Sequence, residues 1–369
     1  MKIRKFIAVS VVVVNISVAV GLLMSYMSSH INPLHGPMFA FFGLSYPLWL
    51  LSNLGFVVFW LFVKWRRCFW SLIPLVLGVN YHATFFAFNS ANEPSGDLHI
   101  MSYNVRVFDL YNWTEGLQTR DSIFVQLETE APDIICFQEF YYTERKGVFE
   151  TRDTLIQILG MPFIHEKYTH KINGQQYFGV ATLSKYPIVG EGSIAFASDK
   201  HNFCIYSDHK IGSDTIRVYN AHLASIRLDK VDYAFMNESQ RDMAGTKRIY
   251  GRLKSAFQNR AEQVSAVLEE VKRSPYPVVL CGDFNDTPLS YCYNEVAAQL
   301  EDAFIEAGSG IGGTYIGRFP SFRIDYIFHS PGIAAEAYHT LPQELSDHHA
   351  IQAWLTLPKQ GVDQEVEAE

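Results

Sequence analysis

Hydrophobic residues follow two different patterns along the 369-residue chain. In three stretches of the first 90 residues the sequence is almost continuously apolar. Each stretch is long enough, at about 1.5 Å per helical residue, to cross a hydrocarbon layer of about 30 Å. The pattern therefore predicts a membrane region at residues 1–90 with three transmembrane helices, at about 6–27, 38–63 and 69–88.

Beyond a small, polar linker at residues 91–96, short apolar runs alternate with amphipathic stretches. The pattern predicts strands at 98–105, 134–137, 179–183, 216–219, 278–281 and 324–328, and helices at 119–130 and 259–272. Strands and helices are mixed without strict alternation, which favours an α/β (α+β) fold with sheets inside and helices outside. We expect this soluble domain to span residues 97–357 and the acidic end, 358–369, to be a disordered tail.

The distribution of charge supports the same division of the chain. Residues 1–90 contain no Asp or Glu, whereas the remainder carries all 38 acidic residues and 24 of the 30 basic ones, a formal charge of −14. A membrane region followed by a soluble, acidic domain accounts for this difference.

Basic residues in the membrane region predict its orientation. Lys2, Arg4 and Lys5 precede the first apolar stretch and further basic residues lie at 64–67, but the loop at 28–37 has no Lys or Arg. By the positive-inside rule the N-terminus and the 64–67 loop are cytoplasmic, so three crossings place the soluble domain outside. In a bacterium this predicts a multi-pass inner-membrane protein with a periplasmic domain. Cleavage of the first stretch as a signal peptide would leave the domain on the same side.

Polar residues cluster where predicted strands end. Asp283 and Asn285 follow the strand at 278–281, at Gly-Asp-Phe-Asn. Further polar residues in comparable positions are Asn104, Glu139, His222, Asp325, Asp347 and His348. Each has a structural explanation by itself, as a turn former, a cap or a surface carboxylate. Their repeated association with strand ends indicates a functional site instead.

In these motifs the chain resembles the endonuclease/exonuclease/phosphatase superfamily of deoxyribonuclease-I-like phosphoesterases. The motifs are Ser-Tyr-Asn, Gln-Glu, Asn-Ala-His-Leu, Gly-Asp-Phe-Asn, Arg-Ile-Asp-Tyr and Ser-Asp-His, within residues 97–357. The resemblance implies a four-layer α/β/β/α sandwich with its active site at one edge. It also implies metal ligands at Glu139, Asn104 and Asp347, and catalytic residues at Asp283, Asn285, His348, Asp325 and His222.

The chemistry of phosphoester hydrolysis calls for the same residue types. A hard divalent cation with oxygen ligands neutralises the charge that develops on phosphate, so we expect Mg²⁺ or Mn²⁺. His348, paired with Asp325, would be a charge-assisted donor to a phosphate oxygen. We therefore predict in-line attack by an activated water on a phosphodiester.

The substrate is less well defined by the sequence. A domain charge of −14 argues against general nucleic-acid binding, which relies on basic contacts to phosphate. Between Arg227 and Arg260, however, eight basic residues face four acidic ones with aromatic residues interleaved. We assign Arg260, at the end of this run, and Arg323, in the Arg-Ile-Asp-Tyr motif, as candidate substrate contacts. A solvated helix face explains the basic run equally well.

Three functions stay open at this point. The first is a membrane-anchored nuclease or phosphodiesterase, and the second is a lipid, sugar or inositol phosphate hydrolase of sphingomyelinase type with the same site. The third is a membrane-anchored binding module without catalysis, which loss of a metal ligand would favour. The expected partners are a phosphoester, whether nucleic acid, lipid headgroup or small diester, and the lipid bilayer. The sequence indicates no protein partner.

Overall fold

A computed structural model describes residues 2–90, 94–113, 118–147, 149–196, 199–237, 242–317 and 322–358. The chain forms two compact units. The first, here called the helical unit, comprises Met1–Phe86, Ile226–Ala261 and Asp286–Glu295; the second, the sheet unit, comprises Ala87–Ser225, Glu262–Asn285 and Val296–Glu369. The predicted tail after residue 358 and positions 91–93 of the predicted linker lie outside the described residues.

The described residues form helices and strands that alternate through most of the chain. The helices are α1 (Lys2–Met27), α2 (Pro37–Leu44), α3 (Tyr46–Val63), α4 (Phe69–Leu77), α5 (Val79–Ala83), α6 (Thr119–Glu130), α7 (Thr151–Leu159), α8 (Lys230–Asn237), α9 (Met243–Lys272), α10 (Tyr291–Ala297) and α11 (Ala303–Ala307). The strands are β1 (Ala87–Phe88), β2 (Leu98–Asn104), β3 (Ile134–Thr143), β4 (Phe163–Ile172), β5 (Gln176–Ser184), β6 (Ile188–Phe196), β7 (Asp199–Ile211), β8 (Asp214–His222), β9 (Val278–Asp283), β10 (Glu301–Asp302), β11 (Ser309–Gly310), β12 (Asp325–His329), β13 (Ala334–Thr340) and β14 (Ile351–Thr356).

Two six-stranded sheets form the centre of the sheet unit. Their strand orders are β10-β12-β9-β8-β7-β6 and β13-β14-β2-β3-β5-β4. In each sheet one central pair is parallel, β8 with β9 and β2 with β3, and the other neighbouring strands are antiparallel. Parallel neighbours deliver their C-terminal ends to the same edge, so the polar residues that end them come together.

The two sheets pack face to face around an apolar core. Ile100 and Cys136 from one sheet and Val218 and Cys281 from the other are fully buried in one cluster. A second cluster joins the outer face of the β2-containing sheet to α6 and α7. On the other sheet, Tyr219 of β8 donates a hydrogen bond from its hydroxyl to the backbone oxygen of Glu270 in α9 (3.0 Å). The predicted four-layer α/β/β/α sandwich is confirmed.

In the helical unit, α1, α3 and α4 pack together through buried polar side chains. Asn15 of α1 donates from Nδ2 to Ser71 Oγ (2.6 Å) and accepts at Oδ1 from Trp60 Nε1 (2.8 Å). Asn53 of α3 donates to the backbone oxygen of Val18 (3.1 Å). Hydrogen bonds between helices satisfy polar groups that apolar surroundings would otherwise leave without partners.

Two of the three predicted spans contain a helix of membrane length. Lys5–Met27 has a mean hydropathy of 2.6 and Tyr46–Val63 one of 1.7. The prediction of one helix over 38–63 was wrong, because α2 ends at Leu44 and Pro47, which has no backbone N–H, lies in the first turn of α3.

The prediction of a third transmembrane helix at 69–88 was also wrong. α4 ends at Leu77, α5 covers only five residues, and Ala87–Phe88 form a strand that pairs with β11. Gly78 separates the two helices, and a side chain there would collide with the ring of Tyr26. Apolar composition cannot show this interruption, because it depends on a close approach by another helix.

Candidate active site

Asp283 lies at the centre of a group of polar side chains at one edge of the sheet unit. As the last residue of β9, it is the register partner of His222 on β8 and of Asp325 on β12. Gly282 precedes it with a positive φ of 145°, and a Cβ there would strike the backbone oxygen of Ala221. Glycine therefore permits the close strand pairing that aligns the three side chains.

Hydrogen bonds hold the Asp283 carboxylate in place. Its Oδ1 accepts from the backbone N–H of Asn285 (2.8 Å), and its Oδ2 accepts from Asn285 Nδ2 (3.1 Å) and Asn104 Nδ2 (3.0 Å). Asn104 ends β2 in the other sheet. The two sheets thus contribute side chains to one group of polar residues.

Two histidines flank the same carboxylate. The Nε2 atoms of His222 and His348 each lie 3.8 Å from Asp283 Oδ2. On its other side, His348 Nδ1 lies 2.8 Å from Asp325 Oδ2. His348 is buried between Asp325 and Asp283, an arrangement that fixes the orientation of its ring.

Glu139 reaches the site through an irregularity in β3. The sequence placed this residue after its strand, but β3 continues to Thr143. Between Phe137 and Phe140 the pairing with β5 contains one extra residue, and Glu139 has a φ of +51°. A bulge of this kind redirects a side chain and is common beside active sites.

Asp347 and Asn104 complete the acidic side of the site. Asp347 Oδ2 lies 3.3 Å from Arg106 Nε, and the backbone N–H of Arg106 donates to Asn104 Oδ1 (3.1 Å). The hydroxyl of Ser346 donates to the backbone oxygen of Asn104 (2.8 Å). These contacts connect the segment before His348 to the end of β2.

The ionisable groups of the site influence one another strongly. Burial raises the pKa of Glu139 to about 7, and the charges of Asp347 and Asp283 add to this increase. Burial likewise raises the pKa of Asp283, although His348 opposes the shift. Burial alone would lower the pKa of His348, but the carboxylates of Asp325 and Asp283 outweigh it and raise this pKa to about 10. His348 is therefore protonated at neutral pH.

The residue types of the site suit a hard divalent cation, and Asp283, Asp325 and His348 each bring a ligand atom within 4.8 Å of the others. Three carboxylates, those of Glu139, Asp347 and Asp283, are close enough for two of them to raise the pKa of the third. Glu139 makes no ion pair with a basic side chain among the described residues, so a cation there would relieve the repulsion. Carboxylate and amide oxygens suit Mg²⁺ or Mn²⁺, and no thiolate contributes.

The two predicted substrate-binding arginines, Arg260 and Arg323, both form ion pairs inside the protein. Arg323 is buried, with Nη1 2.7 Å from Asp302 Oδ2, and its guanidinium lies over the ring of Phe304. Arg260 belongs to the helical unit, where its Nε lies 2.9 Å from Asp286 Oδ2. Both side chains are engaged in internal ion pairs, which their position in the sequence could not reveal.

Sequence reasoning missed three residues that support the site. Arg106 lies two residues after Asn104, and its guanidinium contacts Asp347. Its closeness to Asn104 in the sequence could have indicated a role in the site. Tyr315 pairs with His348 through an isolated antiparallel β-bridge. Its ring lies at 75° to the imidazole, with 5.5 Å between the ring centroids, and nothing in the sequence indicated this contact. Gln138 donates from Nε2 to Asn220 Oδ1 (2.8 Å) and so links the two sheets directly behind Glu139.

Comparison with known families agrees with this arrangement. The sequence profile of the endonuclease/exonuclease/phosphatase family matches residues 101–348, more than half of the chain. The chain belongs to this family. It is accordingly a hydrolytic phosphoesterase, which removes the third of the functions left open by the sequence. Residues 4–85 match a family described as a domain of unknown function. No curated protein matches the sequence.

Solved structures share the fold of the sheet unit at low sequence identity. An endonuclease/exonuclease/phosphatase from Beutenbergia cavernae DSM 12333 is 18% identical with a TM-score of 0.53, covering 71% of this chain and 72% of that one. A family protein from Bacteroides thetaiotaomicron is 19% identical with a TM-score of 0.51, covering 72% and 100%. The human Nocturnin catalytic domain with bound sulfate anion is 17% identical with a TM-score of 0.51, covering 73% and 95%.

Proposed function

We propose that this phosphoesterase is a membrane-anchored, divalent-metal-dependent phosphodiesterase that hydrolyses its substrate by in-line attack of water. The observation that carries the proposal is the placement of Asp283. Its carboxylate is hydrogen-bonded by Asn104 and Asn285 and lies 3.8 Å from the Nε2 atom of His348, whose other nitrogen contacts Asp325.

Each side chain has a definite task in this proposal. Asp283, with a raised pKa, accepts the proton of the attacking water, while Asn285 orients that water and the phosphate. Protonated His348 donates to a non-bridging phosphate oxygen and stabilises the charge that grows on it. His222 faces the same carboxylate and supplies a second nitrogen donor to the phosphate.

Glu139, Asn104 and Asp347 are the residues that would hold Mg²⁺ or Mn²⁺. When bound, the ion supplies charge neutralisation at the phosphate oxygens. Support for this assignment is the raised pKa of half-buried Glu139, which reflects desolvation of its carboxylate and the nearby charges of Asp347 and Asp283. Asn104 would contribute an oxygen ligand without adding charge.

A substrate panel tests the reaction class. The full-length protein in detergent, with Mg²⁺ or Mn²⁺, would be offered DNA, RNA, bis-p-nitrophenyl phosphate, p-nitrophenyl phosphate, sphingomyelin vesicles and inositol phosphates. We expect cleavage of diesters over monoesters, absent in the Asp283→Asn variant. Hydrolysis confined to the monoesters would instead support the sugar or inositol phosphatase alternative.

We further propose that α1 and α3 cross the inner membrane and that the sheet unit is periplasmic. In this proposal the return passage is made by the interrupted pair α4 and α5 rather than by a third helix of membrane length. Two ring contacts of the helical unit support it. The ring of Tyr81, in α5, stacks on Tyr26 at the end of α1 (4.7 Å, 8°), and Phe85 contacts Tyr46 at the start of α3 (4.6 Å). The chain thus returns to the end opposite the basic 64–67 loop, which the positive-inside rule assigns to the cytoplasm.

Reporter fusions test this orientation. A C-terminal alkaline phosphatase fusion should be active in cells, and a C-terminal green fluorescent protein fusion exported by the general secretion route should be dark. Fusions ending after residue 66 should give the reverse pattern. A fluorescent and phosphatase-inactive full-length fusion would place catalysis in the cytoplasm.

A further inference from the structure

The basic segment at 226–261 packs within the helical unit against the short helix that joins the two membrane-length helices. The ring of Tyr250 in α9 stacks on Phe41 of α2 (4.8 Å, 8°), and Phe257 meets the same ring edge-on (5.2 Å, 86°). Gln258 Nε2 donates to the backbone oxygen of Pro33 (3.3 Å). Since α2 connects α1 to α3, this part of α9 lies at one end of the membrane helices.

Two arginines of the segment, Arg248 and Arg252, form ion pairs with acidic residues at the start of α8. Arg248 Nε lies 2.6 Å from Asp232 Oδ1, and Arg252 contacts both Asp232 (2.8 Å) and Asp229 (2.5 Å). The Asp232 side chain is fully buried, so these pairs join α8 to α9. The charges of Arg248 and Arg252 are therefore balanced within the segment.

The lysines of the segment behave differently. Lys230 and Lys247 are exposed and Lys254 is half-buried. In the described part of the chain, none of the three makes an ion pair. With exposed Arg227 these lysines outnumber the two exposed carboxylates, Asp242 and Asp229, of which Asp229 pairs with Arg252. The outward-facing charge of the described part of the segment is accordingly positive.

These lysines alternate with exposed apolar side chains on one face of α9. Met243, Lys247, Tyr250 and Lys254 follow the spacing i, i+4, i+7 and i+11, which places them in a single stripe. Met243 is 72% exposed and Tyr250 46%, and Val231 beside Lys230 in α8 is 61% exposed. We call this the lysine stripe, with Lys230 and Val231 as its extension.

The occupant of such a surface must offer negative charge and an apolar layer together. A helix with exposed apolar residues and lysines lies in the headgroup region of a bilayer, where the lysine stems extend along apolar surface and the ammonium groups reach phosphate. Each lysine near an anionic surface adds about 1 kcal/mol. Nucleic acid would satisfy the charges but leave Met243 and Val231 in water.

We propose that the lysine stripe binds the anionic phospholipid headgroups of the leaflet next to α2. The inference rests on the membrane anchoring proposed above. It adds a binding surface for lipid phosphodiesters to an enzyme whose reaction acts on that bond, and so favours a substrate presented at the membrane surface.

Site-directed spin labelling of the full-length protein in nanodiscs tests the proposal. The native cysteines are free and buried, which favours selective labelling of an introduced cysteine. Labels would be placed by Met243→Cys in the stripe, Val14→Cys on the exposed face of α1, and Val189→Cys on exposed β6 as the aqueous control. Collision rates with oxygen and with a water-soluble nickel complex report the depth of each label.

We expect the Met243→Cys label to be shielded from nickel relative to the Val189→Cys label, and the shielding to increase when phosphatidylglycerol is added to phosphatidylcholine. A Met243→Cys label as accessible as the Val189→Cys label would overturn the proposal, provided that the Val14→Cys label is in hydrocarbon. A Val14→Cys label exposed to nickel would instead overturn the membrane anchoring itself.

A charge variant tests the role of the lysines. Replacing Lys230, Lys247 and Lys254 by Gln should weaken binding of short-chain phosphatidylglycerol to the detergent-solubilised protein by about fivefold per lysine. Replacing Lys146, Lys167 and Lys171 of the sheet unit by Gln removes equal charge and should have no effect. Equal losses in both variants, or binding of a single-stranded oligonucleotide in preference to the lipid, would show that the stripe is not a headgroup site.

Discussion

The Asp283→Asn substitution removes one charge from the centre of the site while keeping the size of the side chain. In the native protein both carboxylate oxygens accept hydrogen bonds, from the backbone and side chain of Asn285 and from Asn104. An amide has only one acceptor oxygen, so at least one of these donors would face an N–H group. Loss of one such bond costs about 1–3 kcal/mol, and the relief of repulsion with Asp325 offsets part of this cost.

The effect on turnover follows from the distance to His348. Two unit charges 3.8 Å apart interact by about 4 kcal/mol at an effective dielectric constant of about 20. The interaction positions the imidazolium beside the phosphate and is absent in the variant, which also has no carboxylate to accept the proton of water. We expect kcat to fall by about 10³-fold, since each 1.36 kcal/mol corresponds to a factor of ten.

The measurement is kcat on bis-p-nitrophenyl phosphate with saturating Mn²⁺, together with the melting temperature of each variant. Asp208→Asn is a matched control, because Asp208 is also a buried carboxylate of the sheet unit, 2.6 Å from Arg217 Nε. The control should lower the melting temperature and leave kcat within a few-fold. A folded Asp283→Asn variant with more than about a tenth of native kcat would refute the reasoning, because a positioned base contributes about 10²–10⁴-fold.

Three further predictions concern the metal and the buried ion pairs. Glu139→Gln should weaken Mn²⁺ binding by about 10–100-fold or more, measured by the electron paramagnetic resonance signal of free Mn²⁺, whereas exposed Glu191→Gln should not change it. EDTA should abolish hydrolysis and added Mg²⁺ or Mn²⁺ should restore it, because the ligands are oxygens; activity that persists in chelator would contradict the assignment. Arg323→Ala should reduce the free energy of unfolding by about 3–5 kcal/mol, because the buried carboxylate of Asp302 loses its cation. Arg273→Ala, at the exposed pair with Glu270, should cost less than about 1 kcal/mol, and equal losses would argue against a special role for burial.

The sequence by itself determined the position of most of the site. The sequence placed Asn104 within the first predicted strand and His222 and Asp283 just after theirs, and in the structure the three are the last residues of β2, β8 and β9. A polar residue after a buried apolar run marks the point where a strand leaves the core. The parallel pairing of β8 with β9 then brings two of them side by side. The local pattern of apolar and polar residues indicates where a strand ends, because that pattern reflects burial of the strand itself.

Tertiary structure decided what depends on a distant partner. The bulge that directs Glu139 exists only against β5, and the ion pairs that withdraw Arg260 and Arg323 require acidic residues at 286 and 302. The packing of 226–261 beside α2 likewise joins segments separated by about 200 residues in the chain. These features follow from contacts between remote residues, and a local pattern of polar and apolar positions carries no information about which remote residues will meet.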